Sequence, residues 1–170
     1  KDADAIYEYV TKGLGYRPGN IIRLKDATQG KLTGAFGTKE NPRGRLFNWV
    51  RRGRSDVFVF YSGHGVPGLK DGRGYLLPVD ADPSLVEING YPLETLYANL
   101  AKLPARSVTL MIDACFSGTS AGGALLRGSP VRLRLKKTSP LVLRKGAVLT
   151  ASAPDQVAWW DDRARLGLFT

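Results

Sequence analysis

Cysteine and histidine are nearly absent from this chain. Its 170 residues hold one of each, Cys115 and His64. One cysteine excludes an internal disulfide. Together the two residues supply only two of the four ligands a structural zinc needs, so no resident metal is expected. Long apolar runs are missing too, and none approaches the roughly 20 residues of a membrane-spanning helix. The start, Lys1-Asp2-Ala3-Asp4, lacks the basic and apolar regions of a secretory signal. The compartment stays open, since a thiol can function inside or outside the cell, with the cytoplasm expected ahead of the periplasm.

Acidic residues are outnumbered by basic ones, 15 against 25, giving a net charge of +10. Such an excess admits a nucleic-acid or acidic partner. Its distribution argues otherwise. Many of the cations fall in two places, Arg43 to Arg54 and Arg127 to Lys145, which read as a solvated helix face and a basic linker. Neither nucleic acid nor a membrane is an expected partner. The length suits one domain with a real core.

Apolar spacing predicts helices over 3–14, 45–52 and 92–103. Short strands are predicted at Ile21-Ile22-Arg23-Leu24, at Tyr75-Leu76-Leu77 and at 147–151. Two runs stand out, Asp56 to Tyr61 and Ser107 to Ile112. Both are continuous and β-rich, as in strands of a parallel sheet covered on both faces. Residues 66–90 otherwise read as loop, and 117–140 as a mobile segment. Strands alternating with helices predict an α/β fold with a mostly parallel sheet. Both ends are abrupt, so a fragment of a larger chain is expected.

The two reactive side chains follow the two strongest strands. The first strand runs into Ser62-Gly63-His64-Gly65, the second into Asp113-Ala114-Cys115-Phe116-Ser117-Gly118. Chemistry in open α/β sheets gathers at the carboxyl ends of strands. Adjacent parallel strands would bring His64 and Cys115 to one edge. A thiol with a pKa of about 8.5 is mostly protonated at neutral pH and gains from a neighbouring imidazole, which can then protonate a leaving amine. Backbone N–H groups of Gly65 and Cys115 could hold an oxyanion. Taken singly, a lone cysteine is usually an inert small hydrophobe. The paired placement is what favours catalysis.

These motifs resemble the caspase-like cysteine peptidases, and the bacterial metacaspase-like members most closely. In true caspases the histidine lies about 50 residues upstream of the cysteine, as His64 does here. True caspases carry Gln-Ala-Cys, whereas Asp113-Ala114-Cys115 resembles the Asp-x-Cys of metacaspases and paracaspases. The resemblance covers nearly the whole chain. It implies a three-layer α/β/α fold, one catalytic domain over 1–170 without its first strand and last elements, and a monomer or part of a multidomain chain.

It also implies roles. Metacaspase-like enzymes cleave after Arg or Lys, and caspases after Asp. Asp113 matches a pocket carboxylate for a basic substrate residue, Asp2 a second pocket acid and Ser62 a polar pocket residue. Ser152 falls in the substrate-binding strand and loop, and Trp159 is expected to line a subsite. The basic loop 119–145 matches a region these enzymes often cut themselves, with Arg127 or the cluster Arg132, Arg134, Lys136 and Lys137 as expected sites. Many metacaspases need calcium, held by clustered acids on loops near the site. Here only Asp80 and Asp82 offer themselves, and calcium independence is expected. The alternatives are an inactive interaction domain of the same fold and a basic nucleic-acid module.

Overall fold

In the computed structural model the described residues are 1–114, 116, 119–120, 123–124, 146–151, 160–161 and 166–167. The chain opens with helix α1 (Asp2–Glu8), which continues as a π-helical turn over Tyr9–Gly13. Asp2 and Asp4 in its first turn suit the positive end of the helix dipole. Gly15, at φ 74°, takes the chain out of the helix.

The strand expected at Ile21–Leu24 does not form among the described residues. The segment pairs with no strand and is tied to α1 by side chains instead. Arg23 and Lys25 both pair with Asp4, and the Arg23 guanidinium lies over the Tyr7 ring. An apolar extended tetrapeptide becomes a strand only where a neighbour accepts its backbone hydrogen bonds.

Helix α2 (Gln29–Phe36) was not predicted. Its glycines, Gly30 and Gly34, each disfavour helix by about 1 kcal/mol relative to Ala. Capping and packing override them. Thr28 accepts from the Lys31 N–H, Leu32 and Ala35 are buried, and Asn99 donates to the Phe36 carbonyl at 3.0 Å. Helix α3 (Arg45–Trp49) is shorter than its apolar pattern. Leu46 and Val50 pack on the core, while Arg45 stands over the exposed Trp49 ring and Arg43 over Phe47. The basic run therefore lies along an exposed face, as expected.

Strand β1 (Asp56–Ser62) leads into a small antiparallel sheet of β2 (Gly65–Pro67), β3 (Gly74–Leu76) and β4 (Tyr91–Pro92), in that order. Only its middle strand lies near the predicted extended piece. Glycine and proline at β2 hid the rest, yet Val66, Tyr75 and Leu76 are all buried. Between β3 and β4 lies the short helix α4 (Val86–Asn89). Helix α5 (Leu93–Ala101) presents Leu93, Leu96 and Leu100 to the core. Strand β5 (Ser107–Asp113) follows. Then come the two-residue pair β6 (Thr119–Ser120) and β7 (Gly123–Ala124), strand β8 (Gly146–Thr150), and a second pair, β9 (Trp160–Asp161) and β10 (Leu166–Gly167).

The central sheet has the order β1-β5-β8, all parallel. Side chains alternate across it. Val57, Val59 and Tyr61 share one face with Val108, Leu110 and Ile112, and this face packs on Leu32 of α2 and on the apolar side of α5. The other face, carrying Phe58, Phe60, Thr109 and Met111, is half-buried among the described residues. Helix α1 lies on this second side, tied to it by the Asp2–Ser62 hydrogen bond. Helices thus flank both faces of a parallel sheet, the predicted architecture.

An ionic lock holds the amino ends of the two long strands. Asp56 accepts from Arg106 Nε at 2.9 Å and from Ser107 Oγ at 2.6 Å. These bonds hold its carboxyl down at about 2. A depressed acid adds stability above its unfolded pKa, near 3.9, and loses it as pH falls through the folded value. Urea unfolding of wild type and Asp56→Asn should accordingly differ by a constant amount above about pH 4. The difference should shrink steadily from there towards pH 2.

Candidate active site

The parallel register pairs Ser62 with Asp113, so the last residues of β1 and β5 stand side by side. By alternation both occupy the α1 side of the sheet. Asp2, at the start of α1, reaches this point, and Ser62 Oγ donates to its Oδ2 at 2.6 Å. Both acids are buried, Asp2 at 8% and Asp113 at 7% exposure. Among the described residues nothing donates to Asp2 Oδ1, although it is buried. Buried carboxylate oxygens are normally satisfied, because leaving one dry and unbonded is costly. Two buried acids thus stand beside one hydroxyl at the ends of the strands, and one of the Asp2 oxygens has no donor among the described residues.

Beyond the strands the chain turns sharply. Gly63 N–H donates to the Asp113 carbonyl at 3.2 Å, which keeps the turn beside the end of β5. A Cβ on Gly63 would lie 2.8 Å from the Tyr61 hydroxyl, so a larger residue there would displace that hydroxyl. His64 follows with an exposed side chain on a pinned backbone. Its carbonyl accepts from Tyr61 Oη at 2.8 Å and from Leu77 N–H at 2.9 Å.

The Leu77–His64 bond also sets the phase of the β2–β3 ladder. Gly65 pairs with Leu76, one residue inward from that bond on each strand, so theirs is the non-hydrogen-bonded pair. The ladder therefore leaves the Gly65 N–H unused and turned away from β3. Next to β5, Ala114 and Phe116 are both buried in the core cluster. At the end of β8, Ala151 N–H donates to the Ile112 carbonyl at 2.9 Å.

The model of the caspase domain family matches residues 1–170. The chain belongs to that family. No curated protein is a match for it. Membership in the caspase domain family makes it a cysteine peptidase in general terms, acting on protein substrates. Among the described residues no helix is long and apolar enough to cross a membrane.

In this caspase domain Asp2, Ser62, Asp113, His64 and Gly65 are gathered at the carboxyl ends of β1 and β5. Cys115, Ser152 and Trp159 lie outside the described residues, as do Arg127, Arg132, Arg134, Lys136 and Lys137. Asp80 accepts from the Gln29 N–H, and Asp82 caps the turn at Ser84 through both its N–H and its Oγ. No third acid, histidine or cysteine joins Asp80 and Asp82 among the described residues. Tyr61 escaped the sequence reading because it counted only as the last apolar residue of a strand. Its signal was a hydroxyl placed three residues before a histidine flanked by glycines.

The idle Oδ1 has a measurable consequence. Asp2→Asn keeps an acceptor for Ser62 and removes a buried charge. The variant should melt at or above the wild-type temperature, as is common where a site holds an unpaired group for function. A loss of more than about 1 kcal/mol in thermal unfolding would instead mean that the Asp2 charge is compensated in the free protein.

Proposed function

We propose that this chain is an endopeptidase that cleaves after Arg, with Lys next, through Cys115 as nucleophile and His64 as its acid/base partner. The observation that carries the specificity is the buried pair Asp2 and Asp113 around Ser62, with no donor to Asp2 Oδ1 among the described residues. A guanidinium offers five donors in a planar fork, and an ammonium three around a point. An extended cation with several donors matches two acids better than a compact one does. An acidic side chain in the same place would bring a third negative charge to two buried ones.

The chemistry follows from the strand ends. His64 accepts the thiol proton, and the Cys115 sulfur adds to the carbonyl carbon of the scissile bond. The negative charge on that oxygen is met by the N–H groups of Gly65 and Cys115. His64 returns the proton to the leaving amine as the C–N bond breaks, leaving a thioester. Water, deprotonated by His64, then releases the acid and restores the thiol. Support for the arrangement comes from the exposed imidazole on a doubly anchored backbone and from the Gly65 N–H, which the β2–β3 ladder does not use. Support for Cys115 comes from its place two residues beyond Asp113, as His64 stands two beyond its partner Ser62.

Autoprocessing belongs to the same reading. The segment 119–145 presents Arg127, Arg132, Arg134, Lys136 and Lys137, all residues of the class the pocket accepts. Ser152 and Trp159 complete the substrate-binding set, and no calcium enters any step.

A panel of fluorogenic peptides varied at the residue before the cut tests the proposal, with Cys115→Ala as control. Arg substrates should be hydrolysed fastest, Lys next and Asp not at all, and Cys115→Ala should lose at least a thousandfold, in keeping with the loss of a covalent nucleophile. Preference for Asp would refute the pocket assignment. Intact mass of the same two samples checks the loop. Wild type should show cuts after Arg127 or within Arg132–Lys137, and Cys115→Ala should stay whole.

A further inference from the structure

We infer that Tyr61 is a positioning residue for the oxyanion site, acting through the peptide unit that joins His64 to Gly65. The inference rests on the reading of the Gly65 N–H as an oxyanion donor. The residue sits on the core face of β1, and its ring packs against the core cluster. From that anchor its hydroxyl passes Gly63 and donates to the His64 carbonyl at 2.8 Å. Gly63 permits the approach, since a Cβ there would meet the hydroxyl at 2.8 Å. Burial raises the Tyr61 hydroxyl above its ordinary pKa, so it keeps its proton as a donor throughout the neutral range.

A trans peptide is a rigid plane with its C=O and N–H pointing in opposite directions. Whatever fixes the His64 carbonyl therefore fixes the Gly65 N–H. Two donors hold that carbonyl, Tyr61 Oη and Leu77 N–H. A single donor leaves the plane free to rock about it, and two do not. Donation to the carbonyl also polarises the unit and strengthens its N–H as a donor. The ladder leaves this N–H unbonded. Tyr61 thus aims and strengthens a group whose partner exists only in the transition state.

The test compares wild type with Tyr61→Phe on an amide substrate with Arg before the cut. Loss of a whole oxyanion donor costs about a hundredfold to a thousandfold in kcat. With Leu77 still in place the expected loss is about tenfold in kcat, with KM within about twofold, the mark of an interaction made only in the transition state. Alkylation of Cys115 by iodoacetamide forms no oxyanion, so its rate and pH profile should match wild type. Gly63→Ala, which displaces the hydroxyl and leaves the tyrosine, should show the same loss in kcat. A merely structural role would slow alkylation too, or raise KM, and either result overturns the inference. Wild-type kcat in Tyr61→Phe overturns it as well, while a dead Cys115→Ala would leave the peptidase reading standing. An active Cys115→Ala would remove both.

Discussion

The site depends on one constraint, the register of the two long parallel strands. Seven residues of β1 pair in order with seven of β5, from Asp56 beside Ser107 to Ser62 beside Asp113. A slip of one residue would turn every side chain of one strand to the opposite face. Val57, Val59 and Tyr61 would leave the core, and Ser62 would leave Asp2. The register is held at one end by the Asp56–Arg106–Ser107 lock and along its length by the buried face. It is held at the other end by the Gly63 bond to the Asp113 carbonyl. The ionic lock and the candidate site therefore sit at opposite ends of the same pair of strands.

The carboxyl end is built differently from the core beneath it. The core is apolar and fully interdigitated around Leu110 and Ile112, neither of which is exposed at all. One residue further on, two acids are buried around a serine, and one oxygen of Asp2 lacks a donor among the described residues. Such a group weakens a fold unless something binds it. The backbone beside it is, by contrast, over-determined. His64 is held through its carbonyl by two donors while its ring remains exposed. The combination suits chemistry: fixed backbone dipoles, an exposed imidazole and two buried carboxylates at a single edge.

Much of this was legible in the sequence. Val57 to Tyr61 and Val108 to Ile112 are unbroken β-rich runs, and the Gly-flanked histidine and the Asp-Ala-Cys motif follow them directly. The fold class came from that alternation of strands and helices. What stayed hidden has physical causes. Helix α2 carries two glycines and exists through Thr28 capping and the burial of Leu32. The small sheet uses glycine and proline positions that propensity reads as loop. The Ile21–Leu24 segment has the composition of a strand and finds no partner for one among the described residues. The Asp2–Ser62 bond joins residues far apart in the chain, and only the family resemblance had connected them. Tyr61 was hidden by its apolar ring, because the function inferred for it lies in the hydroxyl at the tip.

The central claim is that buried negative charge at the ends of β1 and β5 reads the charge of the substrate. The most direct measurement compares kcat/KM for peptides carrying arginine or citrulline before the cut, in wild type and in Asp2→Asn. Citrulline keeps the shape of arginine and loses its charge. The account predicts that wild type prefers arginine by about a hundredfold, of the size expected for a buried charge pair, and that Asp2→Asn loses most of that preference by slowing on arginine alone. Equal rates on the two peptides in wild type would contradict it.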